Sequence, residues 1–469
     1  MADTILIEGH NLTLRTGVGV ATYARNLAMA ARYLGYSTKA LIGVDRPLSR
    51  RDPILSEIAI YDARPQQWPS ISVQADLASS AVFGRPFGIT PVEIWRTGVV
   101  IDPAQSCLSN FDAMLAVPRL LDVARLHFRR YGRRANLNLD AAPLLFHATH
   151  PVPLRVRNCP NIHTIHDIIP LRLPYTSLDD KKYFLKLVKH LCKNADHIVT
   201  VSEFSRRDII RFFGISESRI TNTYQAVSIP EKLLAKSDDM VADELRNAFN
   251  LEMKEYFLFC GALEPKKNIA RLIDAYAISG SRYPLVIAGP LGWQYDVDVE
   301  KIQDERFLNY QLKDGRISAD RRVRRLAYVP FAHLIALIRG ARALVFPSLY
   351  EGFGLPVLEA MLLGTPVMTS NVSSLPEVAG DAALLVDPTD IDQMAAAISA
   401  IDSDSDLRAE LTARGRARAM LFSPEAYRSR LGELYRRLLG ITTVRQAVRA
   451  DVPRRVGAGM GNESQWGAP

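Results

Sequence analysis

The chain has 469 residues, 48% of them hydrophobic and 23% charged, with a mean hydropathy close to zero. At about 150 residues per domain this is material for two to three folded domains, and it excludes a wholly disordered, fibrous or low-complexity protein. Lys and Arg number 58 against 50 Asp and Glu, a formal charge of +8.

The opening MADTILIEGHNL carries an acid early and no basic run, so it does not read as a secretion signal. Within it Thr4–Gly9 reads as a strand. A glycine turn, TGVGVAT, follows, then a helix over ATYARNLAMAARYLG closed by Gly35, then a buried strand, Thr38–Val44. Strand, glycine turn, helix, strand is the grammar of a parallel sheet with crossover helices. The stretch from about Pro47 to Ala142 has little pattern and reads as insertions. Leu144–His150, Ile162–Asp167 and His197–Ser202 supply further strands. A polar stretch, Lys236–Asn250, separates this half (1–245) from a second alternating series (246–425). That series runs through YFLFCGAL, a helix over Ile269–Ile278, and strands at Pro284–Pro290, Leu326–Val329, Ala343–Ser348, PVMTS and Ala383–Pro388, with a helix from His333. Residues 426–445 are expected as a helix packing back on the first half, and 446–469 as a flexible basic tail. The expected architecture is α/β, two doubly wound Rossmann-like domains facing across a cleft, with ligands outside the carboxyl ends of the strands.

No apolar run approaches the ~18 residues of a spanning helix. Cys107, Cys159, Cys192 and Cys260 form no C-x-x-C pair, which speaks for reduced thiols in a cytoplasmic protein. Positive charge is clustered: six arginines and one acid (Asp122) from Arg119 to Arg134, RRVRR from Arg321 to Arg325, and eight arginines against three acids from Arg428 onward. Each cluster reads either as a solvated surface or as attraction to an anionic lipid surface or a phosphorylated substrate. Nucleic acid is set aside, because neither interleaved aromatics nor a helix-turn-helix accompanies the arginines.

The densest chemical signal is SLYEGFGLPVLEAMLLGTPVMTS, Ser348–Ser370. A strand ends at Ser348, Gly352 and Gly354 permit a tight turn and close approach to a ligand, and Pro356 suits a first helical turn. The N–H groups of Phe353, Gly354 and Leu355 would then face a diphosphate at a helix N-terminus. Glu351 precedes the turn and Glu359 lies one turn into the helix. In GALEPKKNIARLIDAY (Gly261–Tyr276), Lys266 and Lys267 read equally as cations beside a leaving diphosphate or as a solvated loop. Near the N-terminus Gly17 and Gly19 suggest a dinucleotide fingerprint, but Thr22 stands where its third glycine belongs, which disfavours NAD. Among HATH and HTIHD, His147/His150 and His163/His166 sit three apart on strands and cannot chelate as pairs. No metal is expected.

The E-x(7)-E pair Glu351/Glu359 inside YEGFGLPVLEA, continued by SLPEVAGDAALLVDP, resembles the glycosyltransferases of family 4, retaining enzymes of the GT-B fold. The resemblance is strongest over about residues 255–425, and the GxLEPxKN form is similar to bacterial mannosyltransferases of surface-polysaccharide assembly. It implies transfer of a sugar from a nucleotide-sugar donor without cofactor or metal, with Glu351 at the donor sugar, Glu359 at the ribose, Lys267 at the diphosphate and His166 beside the sugar. It also implies a phosphate-side loop through Gly17 and Gly19, donor contacts from Gly261, and base recognition near Tyr328 and Val329, and it leaves His147, His150 and His163 as structural or acceptor-side. The family places an arginine where this chain has Ala262, with Lys266 the available substitute. The expected reaction moves a hexose, mannose from GDP-mannose as the first choice, to a lipid-linked glycan at the inner face of the cytoplasmic membrane. An epimerase or hydrolase of the same fold and a non-catalytic nucleotide-sugar-binding subunit are the alternatives.

Overall fold

The computed structural model describes residues 3–13, 19–45, 48–49, 52–61, 88–100, 107–313 and 316–440. The first half contributes β1 (Thr4–Glu8), β2 (Ser37–Val44), β3 (Val92–Ile94), β4 (Ala113–Pro118), β5 (Ala135–Leu137), β6 (Leu145–Ala148), β7 (Leu154–Val156), β8 (Asn161–Thr164), β9 (His197–Thr200) and β10 (Ile220–Asn222). Eight of these form one sheet in the order β10-β9-β8-β6-β1-β2-β4-β3, parallel except for β3, while β5 and β7 pair apart. The second half contributes β11 (Phe257–Cys260), β12 (Leu285–Ala288), β13 (Leu308–Lys313), β14 (Arg316–Arg321), β15 (Val323–Leu326), β16 (Ala343–Phe346), β17 (Val367–Ser370) and β18 (Leu384–Val386). Its sheet runs β15-β12-β11-β16-β17-β18, all parallel, and β13–β14 is a separate antiparallel hairpin. The central strands FLFC, LVIA and ALVF are apolar throughout and wholly buried, as expected of strands covered by helices on both faces.

Three expectations are corrected. The stretch read as insertions contains β3, β4 and the helix Leu120–Tyr131, so part of it is integral to the first sheet. The strand expected at Leu326–Val329 lies at Val323–Leu326 instead, drawing in the RRVRR knot. Its arginines are half-buried rather than solvated: Arg322 stacks over the Tyr276 ring and Arg324 donates to the Asn250 carbonyl. Their aliphatic stems let an edge strand carry charge while covering apolar surface. The polar stretch at the expected domain boundary is a helix, Asp238–Phe249, capped by Ser237 and docked on the second unit. There Leu245 fills the space beside Gly340, and Arg339 pairs with Asp238.

The chain passes between the units beside its own return path, where Val227 N–H donates to the Phe422 carbonyl. The helix Pro424–Leu439 then packs against Gly19–Tyr33 of the first unit. Gly432 leaves room for Leu34, and the Tyr427 and Tyr23 rings meet edge-on. Tyr435 bonds His147 Nδ1 at 2.8 Å, and His147 Nε2 meets Thr164 Oγ1, which is also bonded to Tyr23. Burial first, then nearby histidines, pulls His147 down to about 3, so its neutral ring accepts at one nitrogen and donates at the other. Residues 441–469, including the tail, lie outside the described residues.

Candidate active site

The glycine turn and the helix after β16 form as the sequence suggests. Gly354, at φ 112°, occupies a conformation open mainly to glycine, and the helix Leu355–Leu362 starts directly after it with Pro356 in its first turn. Ser374 Oγ donates to the carbonyls of Glu351 and Phe353, and Ser373 Oγ accepts from Glu351 N–H, so the turn is fastened from the loop after β17. Among the described residues no group accepts from the N–H of Phe353, Gly354 or Leu355. Those donors stand at the positive end of the helix dipole, an arrangement that receives anions. Gly352 has a further use. A Cβ there would lie 2.8 Å from Asp167 Oδ2 and 2.8 Å from the His166 carbonyl, so its missing side chain admits the other unit.

Lys267 comes to the same place from the loop after β11. Its Nζ is 2.6 Å from Glu351 Oε1, both side chains are only 12–13% exposed, and the ammonium lies 4.8 Å from the Phe346 ring centroid. The loop is held by Asn268, which adopts φ 62° and donates to the carbonyls of Pro347 and Pro388. Leu349 N–H adds a bond to the Lys266 carbonyl. Lys266 lies 3.5 Å from Glu264. Burial opposes its charge, but Glu351, Asp167 and Glu264 outweigh burial and raise its pKa. Burial likewise pushes Glu351 up, and the two lysines more than reverse this, keeping it an anion. Lys266 thus puts a second cation beside Glu351, while Ala262 contributes none. A Cβ on Gly261, at φ 149°, would lie 3.7 Å from Lys267 Cε, and a Cβ on the facing Gly289 would strike the Gly261 carbonyl.

Glu359, half-buried, is raised to about 7 by burial, with Arg25 of the first unit acting in the opposite sense. His166 projects from the end of β8. Its Nε2–H donates to the Thr149 carbonyl at 2.8 Å, and Tyr23 meets the ring edge-on. Burial lowers its pKa to about 4 against the Thr149 bond, leaving it neutral with Nδ1 an acceptor that has no hydrogen-bond partner among the described residues. The structure therefore gathers Glu351, Lys267, Lys266, Gly352 and His166 at one junction of the two strand rims. Tyr328 is exposed and Val329 half-buried just past β15, on the edge strand of the same rim. Gly19 opens the first helix with open space around it, and Gly17 lies outside the described residues. Asp167, Arg25 and Glu264 were not singled out from sequence. Asp167 adjoins His166 in HTIHD, which is a signal, whereas Arg25 sits in an ordinary amphipathic helix and carries none. Among the described residues no group of three or more His, Cys, Asp or Glu is disposed to hold a metal ion.

Two facing parallel α/β sheets, with a lysine–glutamate pair and a glycine-capped helix on the crevice, define a GT-B glycosyltransferase. The family profile for glycosyl transferases group 1 matches residues 241–418, and that for glycosyltransferase family 4 matches 92–229. The chain is 36% identical over 336 residues to O-antigen chain mannosyltransferase B of Escherichia coli, covering 70% of this chain and 83% of that one. It is 32% identical over 253 residues to O-antigen chain mannosyltransferase RfbU of Salmonella typhimurium, covering 54% and 63%. Sucrose-phosphate synthase of Thermosynechococcus elongatus shares the fold with a TM-score of 0.60 at 20% identity, over 94% of this chain and 99% of that one. Anabaena HepE in complex with UDP and glucose does so at 0.60 and 16%, over 93% and 100%. This chain belongs to the family 4 glycosyltransferases.

Proposed function

We propose that the protein is a retaining, metal-independent mannosyltransferase using GDP-mannose to extend a lipid-linked glycan in surface-polysaccharide assembly. The observation that carries the reading is the Lys267–Glu351 pair at 2.6 Å beside the open N-terminus of Leu355–Leu362. The names of the relatives, O-antigen mannosyltransferases, favour mannose and a polysaccharide product. In this mechanism the bond from the anomeric carbon to the diphosphate oxygen breaks while an acceptor hydroxyl bonds the same face of that carbon, and its proton passes to the departing phosphate oxygen. Lys267, Lys266 and the N–H groups of 353–355 offset charge growing on the diphosphate. Glu351 supports positive charge at the anomeric carbon. Glu359 holds the ribose, and neutral His166 accepts a sugar hydroxyl at Nδ1. Lys266 beside Glu351 weighs against the non-catalytic reading, which rested on Ala262.

Among the described residues no helix is long and apolar enough to cross a membrane. The proposed lipid-linked acceptor is approached instead through a basic face on the first unit. Of the six arginines from Arg119 to Arg134, two turn inward: Arg119 pairs with Asp122 and Arg134 donates to the Asn194 carbonyl. Arg125 and Arg129 lie over the Tyr183 ring of the helix Lys181–Asn194, Arg129 also pairs with Asp180, and Phe128 packs edge-on against Tyr183 and His190. Lys182, Lys186, Lys189 and Lys193 are exposed there beside Leu185 and Leu126.

The test is a thermal-shift screen against GDP-mannose, UDP-glucose, UDP-N-acetylglucosamine and dTDP-rhamnose. A donor at about a hundred times its Kd adds roughly 2.7 kcal/mol. Stabilisation by GDP-mannose above the others is expected, and stabilisation by another donor alone overturns the mannosyl assignment.

A further inference from the structure

Glu8 and His150 stand on the carboxyl rim of the first sheet and take no part in the donor-side chemistry above. Glu8 ends β1, His150 follows β6 by two residues, and His166 follows β8 by two. Since β8, β6 and β1 are neighbours in the sheet, all three residues occupy one rim, where ligands of such sheets bind.

Glu8 is fully buried with both carboxylate oxygens engaged. Oε1 accepts from His10 N–H at 2.8 Å, and Oε2 accepts from Thr149 Oγ1 at 2.8 Å and from His150 Nδ1 at 3.0 Å. A buried carboxylate needs a cation and full hydrogen bonding to remain charged. Burial pushes Glu8 up, but His150 and these donors bring it down to about 2, and Glu8 in turn raises His150 against the effect of its own burial. The proton that faces Glu8 is therefore on Nδ1, with Asn11 packed 3.2 Å from the same nitrogen. The far edge of the ring is left over. The His150 side chain is 23% exposed, and among the described residues Nε2 has no hydrogen-bond partner. Thr149, which lies between, also accepts from His166 Nε2–H through its carbonyl, so His150 and His166 are fixed relative to each other through one residue.

We propose that His150, clamped at Nδ1 by buried Glu8, is an acceptor-binding residue whose Nε2–H donates to a hydroxyl oxygen of the acceptor sugar. Glu8 at Nδ1 favours the doubly protonated ring, so His150 is assigned to position the acceptor and not to take a proton from it. The attacking hydroxyl's proton still leaves with the phosphate. The inference rests on the glycosyl-transfer reading above, and it assigns to Glu8 the role of a positioning residue acting through His150.

Transfer from GDP-mannose to octyl α-mannoside by the full chain is the test. His150→Ala is expected to raise KM for octyl α-mannoside about tenfold or more, the loss of a charge-assisted hydrogen bond. The Kd for GDP-mannose and the slow hydrolysis of GDP-mannose without acceptor should stay within about twofold of wild type. His150→Gln, which keeps an N–H donor, should recover part of the loss. The double variant His150→Ala/Glu8→Gln removes the stranded carboxylate and should show the same KM, which separates acceptor binding from misfolding. An unchanged acceptor KM in His150→Ala, or a GDP-mannose Kd that worsens in step with it, overturns the proposal. Failure of the underlying reading is seen in the wild type alone, as absence of GDP-mannose binding. A wild type that hydrolyses GDP-mannose but ignores the alkyl mannoside overturns the mannoside contact.

Discussion

At the scale of single residues, the site works by compensated burial. Lys267 and Glu351 are each about seven-eighths withdrawn from water, and each is tolerable because the other is 2.6 Å away. Removing one strands the other, so Lys267→Ala should lose diphosphate stabilisation and also let Glu351 drift upward toward protonation. Either Lys267→Ala or Glu351→Ala is expected to lower kcat by two to three powers of ten, roughly the cost of one preorganised electrostatic contact. Circular dichroism should show the fold retained, and near-normal turnover in both variants would falsify the assignment. Glu359 makes the opposite compromise. Burial raises it to about 7, and Arg25 opposes this only in part. Because the folded value exceeds the unfolded one, the stability its neutral form contributes is present below about 4.5 and lost as pH rises through about 7. Glu359→Gln should therefore raise Tm by a few degrees above pH 7 while weakening nucleotide-sugar binding there. A variant that binds GDP-mannose as tightly as wild type at pH 8 removes Glu359 from the ribose site. The spacing of the two glutamates and the paired lysines could be read from the chain, because each lies in a short contiguous string. His150 stood out as one of the HATH histidines, structural or acceptor-side, whereas Arg25 and Glu8 could not be read, since only the fold brings them to the crevice.

At the scale of elements, legibility followed burial. Strands such as FLFC and LVIA announce themselves because both faces are covered and every side chain is apolar. β4 was missed although five of the six residues of AMLAVP are apolar, because the weakly patterned chain before it offered no strand–helix rhythm to place it in. β15 was shifted by three residues because its arginines hide their stems, not their charges. The C-terminal helix shows how a polar network can decide which unit an element joins. Tyr435, His147, Thr164 and Tyr23 form one hydrogen-bonded chain in a buried interface. Tyr435→Phe keeps the ring but leaves His147 Nδ1 without its hydrogen-bond partner, at a cost of about 1–3 kcal/mol. The expected result is a lower Tm with GDP-mannose affinity unchanged. A Tm equal to wild type would mean that ring packing alone holds the helix.

At the scale of the whole molecule, the two units touch on both sides of the site. Gly352 lies against His166 and Asp167, Tyr350 donates to Asp208, and Trp293 Nε1 donates to the Thr176 carbonyl. Glu377 of the second unit accepts from the N–H groups of Glu203 and Phe204, at the start of a first-unit helix. These contacts bring the two rims together, so in the proposed reaction an acceptor on the first unit would meet a donor on the second in a fixed orientation. The proposed lipid-linked acceptor adds the demand that the first unit lie on the membrane, for which the basic face of Leu120–Tyr131 and Lys181–Asn194 is the proposed contact. Each Lys or Arg near an anionic leaflet contributes about 1 kcal/mol, lost within a Debye length. Reversing Lys182, Lys186 and Lys189 to Glu together should therefore abolish co-sedimentation with phosphatidylglycerol vesicles. Raising salt from about 0.1 M to about 0.5 M should weaken the wild type in the same way. Turnover on a water-soluble acceptor should persist in the triple variant, since the three lysines are exposed and none is among the residues assigned to the site. Equal binding to neutral and anionic vesicles, or undiminished binding by the triple variant, removes this face from the membrane and leaves the route of the acceptor to another surface.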